Sequence, residues 1–468
     1  GDTGRNGRTE RTKGERKMRK TILFIASLCL LASCGVYRKY ERPELQTEGL
    51  FQDNISTDTA SLASVPWREL FTDTCLQHLI STALAQNTDL RVAYLKVEEA
   101  KAVVQRAKLS YLPSLGINVE GSISKFDGAT SKAYNAGAAA SWELDIFGKL
   151  TAAKREAVAA LESSQAYRQV VQTGLISTVA DSYYTLLMLD EQLKINAQTQ
   201  ESWSKTIHVL DVLKRGGKSN EAAVLQARAN LIALKNTAVS LQQSISETEN
   251  ALSSILAQPS QSIARGVLNN QQFVDSLSVG IPIQLLSNRP DVRQAEFELA
   301  QAFYATNVAR AAFYPSITLS GTLGWTNNGG GVVANPGNWL MNAIGSLVQP
   351  LFNRGTNIAN LKIAKARQEE AKLLFQQSLF NAGQEVNDAL VQWQSARKRI
   401  SGGNSQVEIL QEAVRKTELL MRHSNTTYLE VLTAQQSLLD AQTILAKDRF
   451  DEIQAIINLY HALGGGEK

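Results

Sequence analysis

The sequence predicts an internally duplicated chain of the mixed α and β class, in which long helical hairpins are interrupted by two pairs of strands. Three observations carry this. Four short motifs recur in one order at a nearly constant offset. Two stretches alternate apolar and polar residues with period two, and long proline-free stretches place apolar residues at steps of three and four. Composition agrees, because the 468 residues are 44% hydrophobic and 20% charged, with only three cysteines. That apolar fraction excludes low-complexity disorder, and so few cysteines exclude a disulfide-stapled scaffold.

The formal charge of +4 belongs to the N-terminus. Residues 1–33 hold eight Lys or Arg and three acids, a net of +5, which leaves 4 − 5 = −1 for the remainder. A near-neutral body gives no electrostatic footprint for nucleic acid.

Residues 1–17 read as an extension upstream of the natural start. From Met18 a basic start, an apolar run over 22–31 and the small residues Ala32 and Ser33 form a signal peptide over 18–33. The run is too short for a transmembrane helix. Leu31-Ala32-Ser33-Cys34 resembles the bacterial lipobox, which implies acylation of Cys34 and a lipid-anchored collar segment over 34–72. Cys75 is then left without an intramolecular partner and is expected to be a buried, inert thiol.

The duplication rests on matched residues. Asp89 and Arg91 recur as Asp291 and Arg293, and Pro113 recurs as Pro315, all 202 residues apart. Phe147 recurs as Phe352 at 205, and Val224-Leu225-Gln226-Ala227 as Val431-Leu432-Thr433-Ala434 at 207. A period near 200 residues is far longer than a solenoid repeat. The repeats are placed at 73–283 and 284–468.

Each repeat opens with a helix, expected over 73–111 and 288–312, which the Tyr-x-Pro or Tyr-Pro step ends. Strands follow. Leu115, Ile117, Val119 and Ile123 alternate with Asn118, Glu120, Ser122 and Ser124 over 114–124. Ile317, Leu319, Leu323 and Trp325 alternate with Thr318, Ser320, Thr322 and Thr326 over 315–326. Partner strands are expected at 133–145 and 339–350, with polar loops at 126–132 and 326–337. Strands of this length and alternation suit a membrane barrel, and equally a small soluble sheet on helices. Four strands are too few to close a barrel, and an open edge cannot face lipid. If these strands enter a membrane, several chains must share one barrel.

Helices are expected over 149–213 and 221–256, and again over 355–421 and 427–463. Val224, Ala227, Leu231, Leu234, Ala238, Leu241, Ile245, Thr248, Leu252 and Ile255 make a coiled-coil seam. Val431, Ala434, Leu438, Ala441 and Leu445 repeat it, facing a stripe from Leu361 to Ile400. Residues 257–283 break the helical pattern and form a collar segment. The hairpin tips are polar turns, Arg215-Gly216-Gly217-Lys218-Ser219-Asn220 and His423-Ser424-Asn425-Thr426-Thr427. Gly216, Gly217, Lys218, Ser219, Ser424, Asn425 and Thr426 are candidates for docking a partner.

Nothing in the chain calls for chemistry. His78, His208, His423 and His461 lack metal-ligand spacing, and no P-loop, HExxH, GxSxG or CxxC pattern is present. The expectation is no catalytic, cofactor or metal site.

Taken together, the lipobox, Tyr111-Leu112-Pro113-Ser114, Trp142 to Lys149, Asn288-Arg289-Pro290-Asp291-Val292, Phe313-Tyr314-Pro315-Ser316, Gln349 to Gly355, Thr427 to Gln435 and Leu459 to Gly466 resemble the TolC-type outer-membrane efflux proteins. They are most similar to the OprM/NodT-like lipoprotein branch that serves resistance-nodulation-division pumps. The resemblance covers nearly all of the mature chain. It implies a homotrimer with four strands per chain in one twelve-stranded outer-membrane β-barrel, continued by a coiled-coil tunnel through the periplasm. It also implies a periplasmic adaptor, an inner-membrane pump, contact with outer-membrane lipid, and passive export of drugs or other small solutes. In the family a leucine and an aspartate four residues on narrow the pore. The leucine matches Leu429, while Thr433 stands at the aspartate position, so an acidic ring is not expected there. A duct for protein secretion on the same fold, and a lipid-anchored coiled-coil scaffold without a pore, are the competing readings.

Overall fold

The computed structural model describes residues 37–44, 65–271, 273, 289–326, 338–422 and 427–466. The elements run α1 (Trp67–Leu70), α2 (Thr74–Gln86), α3 (Thr88–Leu109), β1 (Ser114–Phe126), β2 (Ala129–Leu144), α4 (Lys149–Arg215), α5 (Glu221–Ile255), a short 3-10 turn (Leu268–Asn270), α6 (Pro290–Ala311), β3 (Ser316–Thr326), β4 (Asn338–Val348), α7 (Thr356–Arg422) and α8 (Tyr428–Ala462). α3 and α6 each have 22 residues, α4 and α7 each 67, and α5 and α8 each 35. At 1.5 Å per residue, a 67-residue helix measures about 100 Å. None of the described helices is long and apolar enough to cross a membrane.

Two compact units each draw on both halves of the sequence. The first takes in the described parts of residues 1–45, 97–164 and 294–375 and holds the sheet. The second takes in the described parts of 46–96, 165–293 and 376–468. It buries Trp203, Tyr183, Tyr184, Tyr460 and Phe71 almost completely.

In the first unit the sheet order is β1-β2-β3-β4, with every pair antiparallel. The expected loop over 126–132 is not there. β1 runs to Phe126, β2 begins at Ala129, and Asp127 and Gly128 alone make the turn, with φ of 46° and 79°. Two successive positive φ angles define the tight turn that Asp-Gly favours. The other expected loop, at 326–337, gives up Thr326 to β3, and its remainder, 327–337, lies outside the described residues.

Below the sheet, Asp145 caps α4. Its carboxylate accepts from the amides of Leu150 and Thr151, each at 2.8 Å. Gly148 needs its φ of +74°, and a Cβ there would press on the Tyr37 Cβ at 3.0 Å. Segment 37–44 lies along α6: the Asn307 amide donates to the Arg38 carbonyl at 2.8 Å, Tyr37 stacks near Tyr304, and Arg42 pairs with Glu296 at 3.4 Å.

In the second unit, the helix expected over 73–111 is broken at Asn87. Its φ, ψ of −54°, 130° are not helical. Its side chain accepts from the Leu90 amide at 3.0 Å and donates to the Ile255 carbonyl at 2.9 Å. One asparagine thus caps α3 and latches it to the end of α5, which offsets the interrupted helix. Cys75, expected to be buried, is a free and half-buried thiol. It sits in the first turn of α2, whose start is only partly covered.

The seam residues named on α5 are all buried or half-buried, as are those on α7 and α8. The segment after α5 is fixed by Arg265, which bonds Asp190 on α4 at 2.5 and 3.0 Å and Glu249 on α5 at 2.5 Å. Arg289 is 2% exposed and reaches Asp291 and Glu385, both at 2.7 Å, and the Ala462 carbonyl. Burial alone would raise the Asp291 carboxyl. The Arg289 guanidinium nevertheless holds it below its usual value.

Candidate functional site

Two regions qualify as functional. The first is the sheet, which is two-faced across β1, β2 and β3. Side chains alternate across a strand, so register decides what shares a face. One face carries the rows Leu144–Ile317–Leu347, Trp142–Leu319–Gly345, Leu115–Ala140–Gly321–Ala343, Ile117–Ala138–Leu323–Met341 and Val119–Ala136–Trp325–Trp339. The other carries mostly Ser, Thr, Asn, Gly and Ala, as in Gly116–Ala139–Thr322–Asn342 and Glu120–Asn135–Thr326–Asn338, with Leu340, Ile344 and Val348 as its large apolar residues on β4. Within this unit the apolar face is bare: Ile117 is 86% and Met341 83% exposed.

Aromatic side chains bound the apolar face at both ends. At one end Trp142 donates its indole N–H to the Tyr111 carbonyl at 2.9 Å, and Phe147 stacks on Tyr314 at 5.3 Å. At the other, Trp325 and Trp339 lie 4.8 Å apart. From Trp142 to Tyr134 is eight residues along β2, roughly 27 Å and about 20 Å of height at a barrel tilt of about 40°. Apolar face, length and aromatic borders together match a strand set that crosses a bilayer.

β1 and β4 each leave one backbone edge unpaired in the sheet. Hydrocarbon offers no partner for those groups, at several kcal/mol each. The soluble-sheet alternative fares worse on the same facts, since water would meet a continuous apolar face.

The second region is the helix ends of the second unit. α4 closes at Gly217, whose φ is +74°, with the Lys218 amide donating to the Leu213 carbonyl at 2.8 Å. Asn220 caps α5 by accepting from the Ala223 amide at 2.9 Å. Gly216, Gly217 and Lys218 are exposed and Ser219 is half-buried. Ser424, Asn425 and Thr426 lie outside the described residues, as do Cys34 and the signal sequence. Behind the tip, Leu210, Val224, Ala227, Met421, Val431 and Leu432 form one buried cluster, so the four helix ends are tied together.

Leu429 and Thr433 are both exposed, Leu429 by 59%. They share one face of α8 with Gln436 and Asp440. This face lines an open groove of about 1110 Å³ against Gln226 and Asn230 of α5. Glu430 does not line the groove, as its offset of one residue from Leu429 requires.

Sequence reading missed Gln435. It is 4% exposed, and its amide nitrogen lies within 2.9–3.0 Å of Ser202 and Thr206 on α4 and Glu418 on α7. One buried amide on α8 thus joins three long helices beside the groove. The only local signal was a glutamine on an otherwise apolar helix face. Farther along α4, burial lifts the Asp181 carboxyl to about 6, and its Oδ1 has no partner. Among the described residues no group of His, Cys, Asp or Glu is placed to hold a metal ion.

The family model described as outer membrane efflux protein matches residues 79–258 and 281–465. The cation efflux system protein CusC of Escherichia coli K12 is 32% identical over 463 residues, covering 96% of this chain and 99% of its own. The probable outer membrane lipoprotein SilC of Salmonella typhimurium is 30% identical over 95% of this chain and 98% of its own. Among solved structures, CusC superposes with a TM-score of 0.83 at 30% identity, over 92% of this chain and 100% of that one. The open state of the MtrE outer membrane channel of Neisseria gonorrhoeae gives 0.83 at 29%, over 92% and 98%.

Proposed function

The chain belongs to the outer membrane efflux protein family, and from that premise we propose that three copies assemble into the passive exit duct of a tripartite efflux pump. The sheet carries this reading. Its four antiparallel strands have one apolar and one polar face and two open edges. β4 runs antiparallel to β1, so β4 of one copy can pair antiparallel with β1 of the next. Two copies would give eight strands, whose interior side chains fill the space. Three give twelve, with the small polar face around water.

The same reading assigns the remaining parts. Cys34 carries the lipid. It lies three residues before Tyr37, within about 10 Å of reach, and Tyr37 rests on Gly148 just past β2. The anchor therefore enters at the base of the barrel. Leu429 narrows the pore, and Thr433 adds no charge there. The tips around Gly216, Gly217, Lys218, Ser219, Ser424, Asn425 and Thr426 meet a periplasmic adaptor, which couples to an inner-membrane resistance-nodulation-division pump. The duct is not an enzyme, and it holds no cofactor. Relatives are named for cations and, in Pseudomonas putida, for toluene, a spread of cargo on one plan that supports selection by the pump over selection by the duct.

Native mass spectrometry of the detergent-extracted outer-membrane fraction, after expression from Met18, tests the assembly. The expected species is a trimer of chains that begin at an acylated Cys34. A monomer, or absence from that fraction, overturns the reading.

A further inference from the structure

The geometry points to Glu120 as the residue that makes the barrel lumen prefer cations to anions, an inference that rests on the channel reading above. The polar face of the sheet carries only two charged side chains among the described residues, Glu120 and Glu143. Glu143 is matched by Lys149 at 2.9 Å. Among the described residues Glu120 faces no cation. Its Oε1 accepts from the Asn118 amide at 2.9 Å, two residues along the same face. Its row across the sheet is Glu120–Asn135–Thr326–Asn338, otherwise neutral and polar. The sheet's lysines near this end, Lys125 and Lys132, fall on the opposite, apolar face.

Three copies therefore place three carboxylates on the inner wall that no base among the described residues matches. A water-filled lumen inside a low-dielectric wall focuses such a field, and rings of Asp or Glu are the usual device of cation channels. The field reaches about 8 Å at physiological ionic strength and farther in dilute salt. At the helix tips, by contrast, Leu429 and Thr433 are neutral. The nearest acid on their groove is Asp440, which accepts from Gln436 at 2.9 Å.

The test is the reversal potential of the trimer in planar bilayers under a potassium chloride gradient, for the wild type, Glu120→Gln, Glu120→Asp and Asp440→Asn. Glutamine keeps the shape and can still accept from Asn118. The expected result is a cation-selective potential in the wild type that grows as salt is lowered. It moves towards zero in Glu120→Gln and persists in Glu120→Asp and Asp440→Asn. A wild type that conducts, with the same potential in Glu120→Gln, overturns the inference and leaves the channel reading standing. A potential lost only in Asp440→Asn also overturns it, by placing selectivity on the helices. A wild type that never conducts sinks the channel reading itself.

Discussion

Leu323 and Thr322 are neighbours on β3, a strand paired on both sides, so their register is fixed by both β2 and β4. Leu323 sits in the row with Ile117, Ala138 and Met341, midway along the apolar face, and Thr322 points the other way, in the row with Gly116, Ala139 and Asn342. Lysine at the lipid-facing midplane of a barrel costs about 2–4 kcal/mol. Three copies per barrel raise the penalty of Leu323→Lys to about 6–12 kcal/mol per trimer. Thr322→Lys keeps its ammonium in lumen water and is expected to cost about 1 kcal/mol or less. Denaturant titration of folding into lipid vesicles, followed by tryptophan fluorescence, reads both, with the yield of trimer in the outer-membrane fraction as a second measure. Equal losses from the two variants, or the greater loss from Thr322→Lys, would show that the apolar face does not meet lipid.

Leu429→Ala should widen the proposed constriction in all three copies and raise single-channel conductance; unchanged conductance removes Leu429 from that role. Gln435→Leu leaves Thr206 and Glu418 facing an apolar group, a cost of about 1–3 kcal/mol. Thermal unfolding in detergent should register that loss, and a neutral result would mean the three contacts are incidental. Asp181→Asn should stabilise the protein at pH 7 by up to about 3 kcal/mol, from the difference between a carboxyl near 6 and its ordinary 3.8. The sign is that of a raised acid: the folded form binds the extra proton, so the penalty is present above pH 6 and fades as pH falls towards 4. A gap between variant and wild type that does not shrink from pH 7 to pH 4.5 would contradict it. His461 is shifted down by burial, then by the Arg289 charge. Its contribution to stability should fall as pH drops below about 6.5, a slope that His461→Gln removes from thermal unfolding curves.

The elements legible in the sequence were those that repeat a period. Val224 to Ile255 announce a seam because ten positions obey one spacing, and β1 and β3 show themselves by strict alternation. Single-residue decisions were harder. Asn87 interrupts a helix whose apolar pattern continues on either side, and its partner, the Ile255 carbonyl, lies 168 residues away. Asp127-Gly128 is a strong hairpin signal, but the small polar residues around it read as a longer loop. Gln435 was beyond local reasoning, since its partners stand 17 to 233 residues distant. Asp291 was visible as a repeated residue and Arg289 as part of the Asn288 to Val292 motif, while the burial of Arg289 against Glu385 and the end of α8 depends on packing between distant segments.

The open edges of the sheet have a genetic consequence. Each copy lends β4 to one neighbour and receives it at β1 from the other, so no copy can be sound on its own account. A cell making equal amounts of normal chain and a chain spoiled at either edge assembles about one wholly normal trimer in eight. An allele carrying proline in the middle of β1 or β4 should therefore behave as dominant, depressing export far below the half expected from gene dosage. An allele that merely fails to be made should leave that half in the same cell.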